Sequence, residues 1–143
     1  MLVVRHGHKS VISGLISSGV EPVWVHPNWD GERHLAHPPS AEKVTKALRD
    51  DSDAKGLLVT PTDYGTCGDI EKIADACRAH DRTLIVDEAW GAHLPFHPDL
   101  PPRAMDRGAD LCVTSVHKIG AAIERALGMR LRVCGRGWVF WAC

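Results

Sequence analysis

No stretch of this chain is apolar for long enough to cross a bilayer: no uninterrupted run approaches the about 20 residues that a spanning helix needs. Positions 2–25 lack the charged-start, apolar-middle, small-residue order of a signal peptide, so no export leader is expected there. An excess of one charge is missing too. Seventeen basic and 18 acidic residues leave a net charge of -1, which excludes a global electrostatic pull toward nucleic acid or a membrane surface. The five cysteines, Cys67, Cys77, Cys112, Cys134 and Cys143, are odd in number and scattered, with no CxxC pair. Neither a zinc knuckle nor a redox dithiol is signalled, and they read as reduced thiols of a cytoplasmic protein, mostly filling the core. Internal repeats and low-complexity segments are absent.

The 143 residues, 44% hydrophobic and 24% charged, suffice for one globular domain with its own core. Apolar runs alternate with helical periodicity. Leu2-Val3-Val4 reads as a strand. Val11, Ile12, Leu15 and Ile16 then form a helical stripe that Gly19 stops. Pro22-Val23-Trp24-Val25 reads as a second strand, and Ser40 caps a helix whose buried face is Val44, Ala47 and Leu48. Gly56-Leu57-Leu58-Val59-Thr60 is a buried strand, with turn chemistry from Pro61 to Gly65. Asp69 caps a helix carrying Ile70, Ile73, Ala74 and Cys77. Two more strands are Thr83-Leu84-Ile85-Val86-Asp87 and Leu111-Cys112-Val113-Thr114-Ser115; the proline-rich stretch 94–102 between them reads as irregular. Continuous apolar strands separated by amphipathic helices predict an α/β fold, a mostly parallel sheet in three layers. In such sheets ligands sit beyond the carboxyl ends of the strands. One stretch breaks the pattern: residues 125–143 hold four arginines, no acid, and Trp138 and Trp141 of the five tryptophans.

The polar residues just past the strand ends carry the chemistry. Asp87 closes an apolar strand, where a carboxylate is costly without a partner. It either caps the next turn or is held for a cationic ring nitrogen. Lys118 follows the strand ending at Ser115; desolvated there, its amine can form a Schiff base with an aldehyde cofactor. Ser115 and His117 can donate hydrogen bonds to a phosphate. His8 stands between the first strand and helix, where an imidazole can stack on an aromatic ring or simply start the helix. His6 reads as a helix-start histidine with no special role. Lys9, also beside a histidine, is set aside as a Schiff-base candidate because it precedes the helix stripe and faces solvent.

Asp87-Glu88-Ala89-Trp90-Gly91-Ala92-His93, with Ser115-Val116-His117-Lys118 and His8-Lys9-Ser10, resembles the major domain of the Orn/Lys/Arg decarboxylase family. The likeness runs from about Leu2 to about Glu124. It implies a partial pyridoxal-phosphate (PLP) transferase-type major domain of fold type I over residues 1–124, followed by a basic, disordered tail over 125–143. It implies Lys118 as the aldimine lysine, Asp87 at the pyridine nitrogen, His8 stacked on the ring, Trp90 near the ring, and Ser115 and His117 near the phosphate. The implied reaction is decarboxylation of a small amino acid, lysine, ornithine or arginine, by a cytoplasmic protein that is a homo-oligomer if complete. No membrane, nucleic-acid or metal partner is expected.

Three departures support an alternative expectation, a catalytically inactive remnant. The glycine- and serine-rich phosphate turn has no counterpart upstream, the Gln-Ser/Thr-rich stretch after the lysine is replaced, and the smaller domain is missing. The break near Arg125 reads as a frame shift or gene remnant. Other readings are weaker. His6, His8, Asp87 and His93 lack the spacing of a metal hydrolase. Gly135-Arg136-Gly137 lacks the flanking strand and helix of a dinucleotide site, and four arginines without a fold make a poor nucleic-acid surface.

Overall fold

The computed structural model describes residues 1–63, 66–115, 118, 132–134 and 137–142; for 62–63, 132–134 and 137–142 it describes the backbone alone. His117 lies outside the described residues. The elements in chain order are β1 (Leu2–Val4), α1 (Lys9–Ser18), β2 (Val23–Val25), β3 (Asn28–Asp30), β4 (Leu35–His37), α2 (Ala41–Asp50), β5 (Gly56–Val59), β6 (Thr62–Asp63), β7 (Thr66–Cys67), α3 (Ile70–Ala79), β8 (Thr83–Asp87), β9 (Leu111–Ser115), β10 (Arg132–Cys134) and β11 (Gly137–Ala142). Short 3-10 turns at Leu94–Phe96 and Ala104–Arg107 give partial order to the segment between β8 and β9.

The expected parallel sheet is present. Its strand order is β10-β11-β9-β8-β5-β1-β2, and every pairing is parallel except β10 with β11. From β1 the chain steps outward to β2, then crosses back to β5 and on to β8 and β9. Right-handed crossovers therefore put α1 on one face and α2 with α3 on the other. They also place the topological switch between β1 and β5.

The helix boundaries follow local chemistry. Ser40 Oγ accepts from the Lys43 N–H at 3.3 Å, and Asp69 Oδ1 from the Lys72 N–H at 3.2 Å, each satisfying an orphan donor of a first turn. α1 ends where Gly19 takes a φ of 66°, a left-handed C-cap. The core lies on the α2/α3 face. Leu2, Val4, Leu57, Val59, Leu84, Val86 and Cys112 of the sheet pack with Val44, Leu48, Ile73 and Cys77.

Two regions differ from the sequence expectation. Where a disordered tail is expected after residue 124, Arg132–Cys134 and Gly137–Ala142 are strands, and β11 runs beside β9 from Trp138↔Leu111 to Ala142↔Ser115. Val133, Trp138, Val139, Phe140 and Trp141 are β-branched or aromatic, types that suit a pleated strand, and β9 offers them a free edge. The β3–β4 and β6–β7 hairpins are also unanticipated, because two- and three-residue strands are too short to show a period. Of the cysteines, Cys77 and Cys112 are buried and Cys67 is exposed. Among the described residues no helix is long and apolar enough to cross a membrane.

Candidate functional site

The carboxyl ends of β1, β5, β8 and β9 carry the polar residues, as a parallel sheet directs. Asp87 ends β8 in phase with Ile85, away from the α2/α3 core, and is half-buried. Its Oδ1 accepts from the Ala89 N–H at 3.1 Å, so the carboxylate shapes its own turn. That turn closes with the Gly91 N–H donating to Glu88 O at 2.9 Å and presents Trp90, which is 55% exposed.

Lys118 reaches the same turn from the neighbouring strand. Its Nζ lies 5.2 Å from the centroid of the Trp90 ring, a cation–π contact. β8 and β9 are adjacent, with Asp87 opposite Val113, so the carboxylate, the indole and the amine belong to one end of one strand pair. Ser115 is buried at the end of β9. His8 stands at the same edge of the sheet beyond β1, with β5 between it and β8. Its Nδ1 accepts from the Ser10 N–H at 3.2 Å and meets Ser10 Oγ at 2.9 Å, so His8 is the N-cap of α1. Lys9 is exposed, as expected of a residue facing solvent.

Two residues without a role in the sequence reading stand out in the structure. His6 shares a 3.1 Å hydrogen bond between its Nε2 and the carbonyl of Thr60. A carbonyl only accepts, so Nε2 carries the proton and, in the neutral ring, Nδ1 is an acceptor. Nδ1 and Thr60 Oγ1 are both buried without a hydrogen-bond partner among the described residues. Orphaned buried polar atoms cost about 1–3 kcal/mol each unless something completes them. These two sit at the switch between β1 and β5, where open α/β sheets take ligands. The only sequence signal for them is position: both residues closely follow strands.

Glu88 is the second. It is 3% exposed and lies in phase with Leu84 and Val86 on the core face. Its Oε1 accepts from the Ala104 N–H at 3.2 Å, and its Oε2 accepts from the Cys112 thiol at 3.5 Å. Burial raises its pKa above the ordinary carboxylate range, with the Cys112 and Ala104 hydrogen bonds opposing in part. Burial, then the neighbouring Glu88, pushes the Cys112 thiol up to about 12, so it stays a neutral donor. A cavity of about 210 Å³ lies on this side of the turn, lined by Pro61, Gly68, Glu88, Leu94, Pro102 and Arg107; Lys118 and Trp90 are not among its walls.

Residues 1–133 match the family model described as "Orn/Lys/Arg decarboxylase, major domain". Among curated proteins, an arginine decarboxylase of Bacillus cereus is 44% identical over 127 residues, covering 88% of this chain and 28% of that protein. An arginine decarboxylase of Bacillus subtilis is 38% identical over 133 residues, covering 92% of this chain and 27% of that protein. The chain thus spans about a quarter of the length of these relatives. Among solved structures, apo mouse CSAD superposes with a TM-score of 0.67 at 23% identity, covering 87% of this chain and 27% of that one. N-succinyldiaminopimelate aminotransferase of Mycobacterium tuberculosis superposes with a TM-score of 0.63 at 19% identity, covering 82% and 31%. These likenesses agree with the fold.

Proposed function

The chain belongs to the Orn/Lys/Arg decarboxylase family through its major domain, and from that premise we propose that it carries part of a PLP site for decarboxylating a basic amino acid, arginine first. The name shared by its curated relatives favours arginine over lysine or ornithine. One observation carries the reading: Lys118 Nζ stands 5.2 Å from the Trp90 ring centroid and so joins the end of β9 to the turn that holds Asp87.

The residues present fit the cofactor. An amine and a carboxylate stand at neighbouring strand ends beside an aromatic face, and two unpartnered polar atoms, His6 Nδ1 and Thr60 Oγ1, lie buried at the switch point. When bound, PLP supplies a carbonyl that amines capture reversibly and a ring that accepts the electron pair left by departing carbon dioxide. Lys118 Nζ would be the amine that receives the aldehyde. Asp87 would hold the ring nitrogen, where a carboxylate favours a proton. The Ser115 hydroxyl, with His117, would receive the phosphate. His8 keeps Nδ1 on Ser10, which sets the plane of a ring free to stack. Trp90 would form one wall of the site, its ring centroid 5.2 Å from Lys118 Nζ.

A second reading, that the chain binds the cofactor yet turns nothing over, is favoured by the 55% exposure of Trp90, which leaves the reacting atoms open to water. One experiment separates the two. PLP is added, the adduct is reduced with borohydride, and the modified peptide is mapped by mass spectrometry. The expected result is a pyridoxyl group on Lys118 that is absent from Lys118→Ala. Carbon dioxide release from arginine then supports the enzyme, and its absence supports the binding-only reading. Label scattered over surface lysines sinks both.

A further inference from the structure

Two acids stand side by side at the end of β8, and the two-residue period of the strand sends them to opposite faces. Asp87 belongs with Ile85 and faces the candidate site. Glu88 belongs with Leu84 and Val86 and is buried in the core. A carboxyl inside an apolar core is destabilising unless its oxygens are matched. Both Glu88 oxygens are, and by distant segments: Oε1 by the N–H of Ala104, 16 residues on, and Oε2 by the thiol of Cys112 on β9. The backbone of Glu88 is tied as well, its N–H to Val113 O at 2.8 Å and its carbonyl to the Gly91 N–H.

Ala104 opens the 3-10 turn Ala104–Arg107, whose N-cap residue, Arg103, makes no side-chain cap bond. Glu88 supplies that cap from outside the segment. Gly91 lies directly against the Glu88 side chain: a Cβ there would fall 2.1 Å from Glu88 Cγ, so any larger residue would displace that side chain. One side chain thus pins the turn carrying Asp87 and Trp90 to β9, the strand that leads to Lys118.

We propose that Glu88 is a positioning residue, whose clamp on Ala104 and Cys112 holds Asp87 and Trp90 in register with Lys118. The proposal rests on the PLP reading of Asp87 and Lys118, and it adds a residue which touches neither cofactor nor substrate. The test uses Glu88→Gln, which keeps an acceptor for the Ala104 N–H and can donate to the Cys112 sulfur. Its counterpart is Glu88→Met, which has a similar reach and only a weakly accepting sulfur. Val86→Ala serves as a control that weakens the same core, directly opposite Cys112, while leaving the Glu88 oxygens and both of their donors in place.

Two signals are read: pyridoxyl labelling of Lys118, and acrylamide quenching of Trp90 isolated by subtracting the Trp90→Phe protein. Glu88→Met is expected to lower Lys118 labelling roughly fivefold, the equivalent of one lost buried hydrogen bond, and to change Trp90 quenching. Glu88→Gln is expected to retain both signals, and Val86→Ala to retain both despite a lower melting temperature. Should Glu88→Met not fold, Glu88→Asp, one methylene short of Ala104, carries the same expectation. Wild-type signals in the clamp variants, or an equal loss in Val86→Ala, overturn the proposal. If the wild-type chain shows no selective Lys118 label, the PLP reading fails, and the quenching comparison alone decides the role of Glu88.

Discussion

The two faces of the sheet are built from the same strands and are sealed to different degrees. On the α2/α3 face Leu2, Leu57, Leu84 and Val86 are fully buried. On the α1 face Val3 is buried, whereas Leu58, Ile85, Leu111 and Val113 are only half-buried. α1 itself buries none of its residues, and Ile16 on its apolar stripe is 76% exposed. The strands alone do not explain this, since parallel strands are apolar toward both sides. The covering layer does. The amphipathic stripes of α2 and α3 meet the sheet, while that of α1 is left largely to solvent. Folding energy is therefore concentrated on one face and the candidate chemistry faces the other, with Asp87 and Glu88 marking the divide.

The largest expected contrast comes from truncating neighbours on β8. Leu84→Ala, on the sealed face, should cost about 3 kcal/mol, and Ile85→Ala, one residue along, about 1 kcal/mol. Urea denaturation measures both, and equal losses would mean that the faces are equally packed. A second contrast is in pH. Glu88 titrates above its ordinary value near 4.5 in the folded chain, so the folded state holds its proton more tightly than the unfolded state does. Stability from this group is full below about 4.5 and is lost as pH rises through the elevated folded value. Glu88→Gln cannot lose that proton. Its stability relative to wild type should climb from about pH 4.5 upward and then level off, as thermal melts across pH would record; a flat difference would place Glu88 in water.

Capping gives a smaller contrast. Ser40→Ala, at the head of the packed helix α2, should lower stability by about 1 kcal/mol. His8→Ala, at the head of α1, should cost only a few tenths, because fraying of an unburied helix scarcely touches the core. Denaturant melts of the pair sharpen the comparison. Smallest of all, Ile16→Ser should move stability by less than about 0.5 kcal/mol. It should nonetheless reduce self-association in light scattering, since it removes an exposed apolar side chain.

Much of this is legible in the sequence because it rests on neighbours in the chain. Ser40 and Asp69 cap their helices through residues three positions on. Asp87 stands out because a carboxylate ends an apolar strand, and Lys118 because it follows one. His6 carries no such signal, since its orphaned nitrogen exists only because β5 brings Thr60 beside it. Glu88 lies inside the Asp87–His93 motif with no role of its own there, although its phase with Val86 points it toward the core. The strand pairing of 137–142 is hidden because an arginine-rich composition masks the aromatic and β-branched residues, and because the edge that receives them belongs to β9.

What the sequence by itself determined is local: the three helices and where they begin, the five central strands β1, β2, β5, β8 and β9, and which side chains are candidates to hold an aldehyde cofactor. Periodicity, capping and motif spacing act over a few residues and need no fold to be read. The tertiary structure alone decided which groups satisfy the buried acid Glu88, that Lys118 meets Trp90, and that His6 and Thr60 leave polar atoms unsatisfied at the switch point. Those facts depend on strand order and register, which bring distant segments within hydrogen-bonding reach, and no local pattern encodes which distant segments those are.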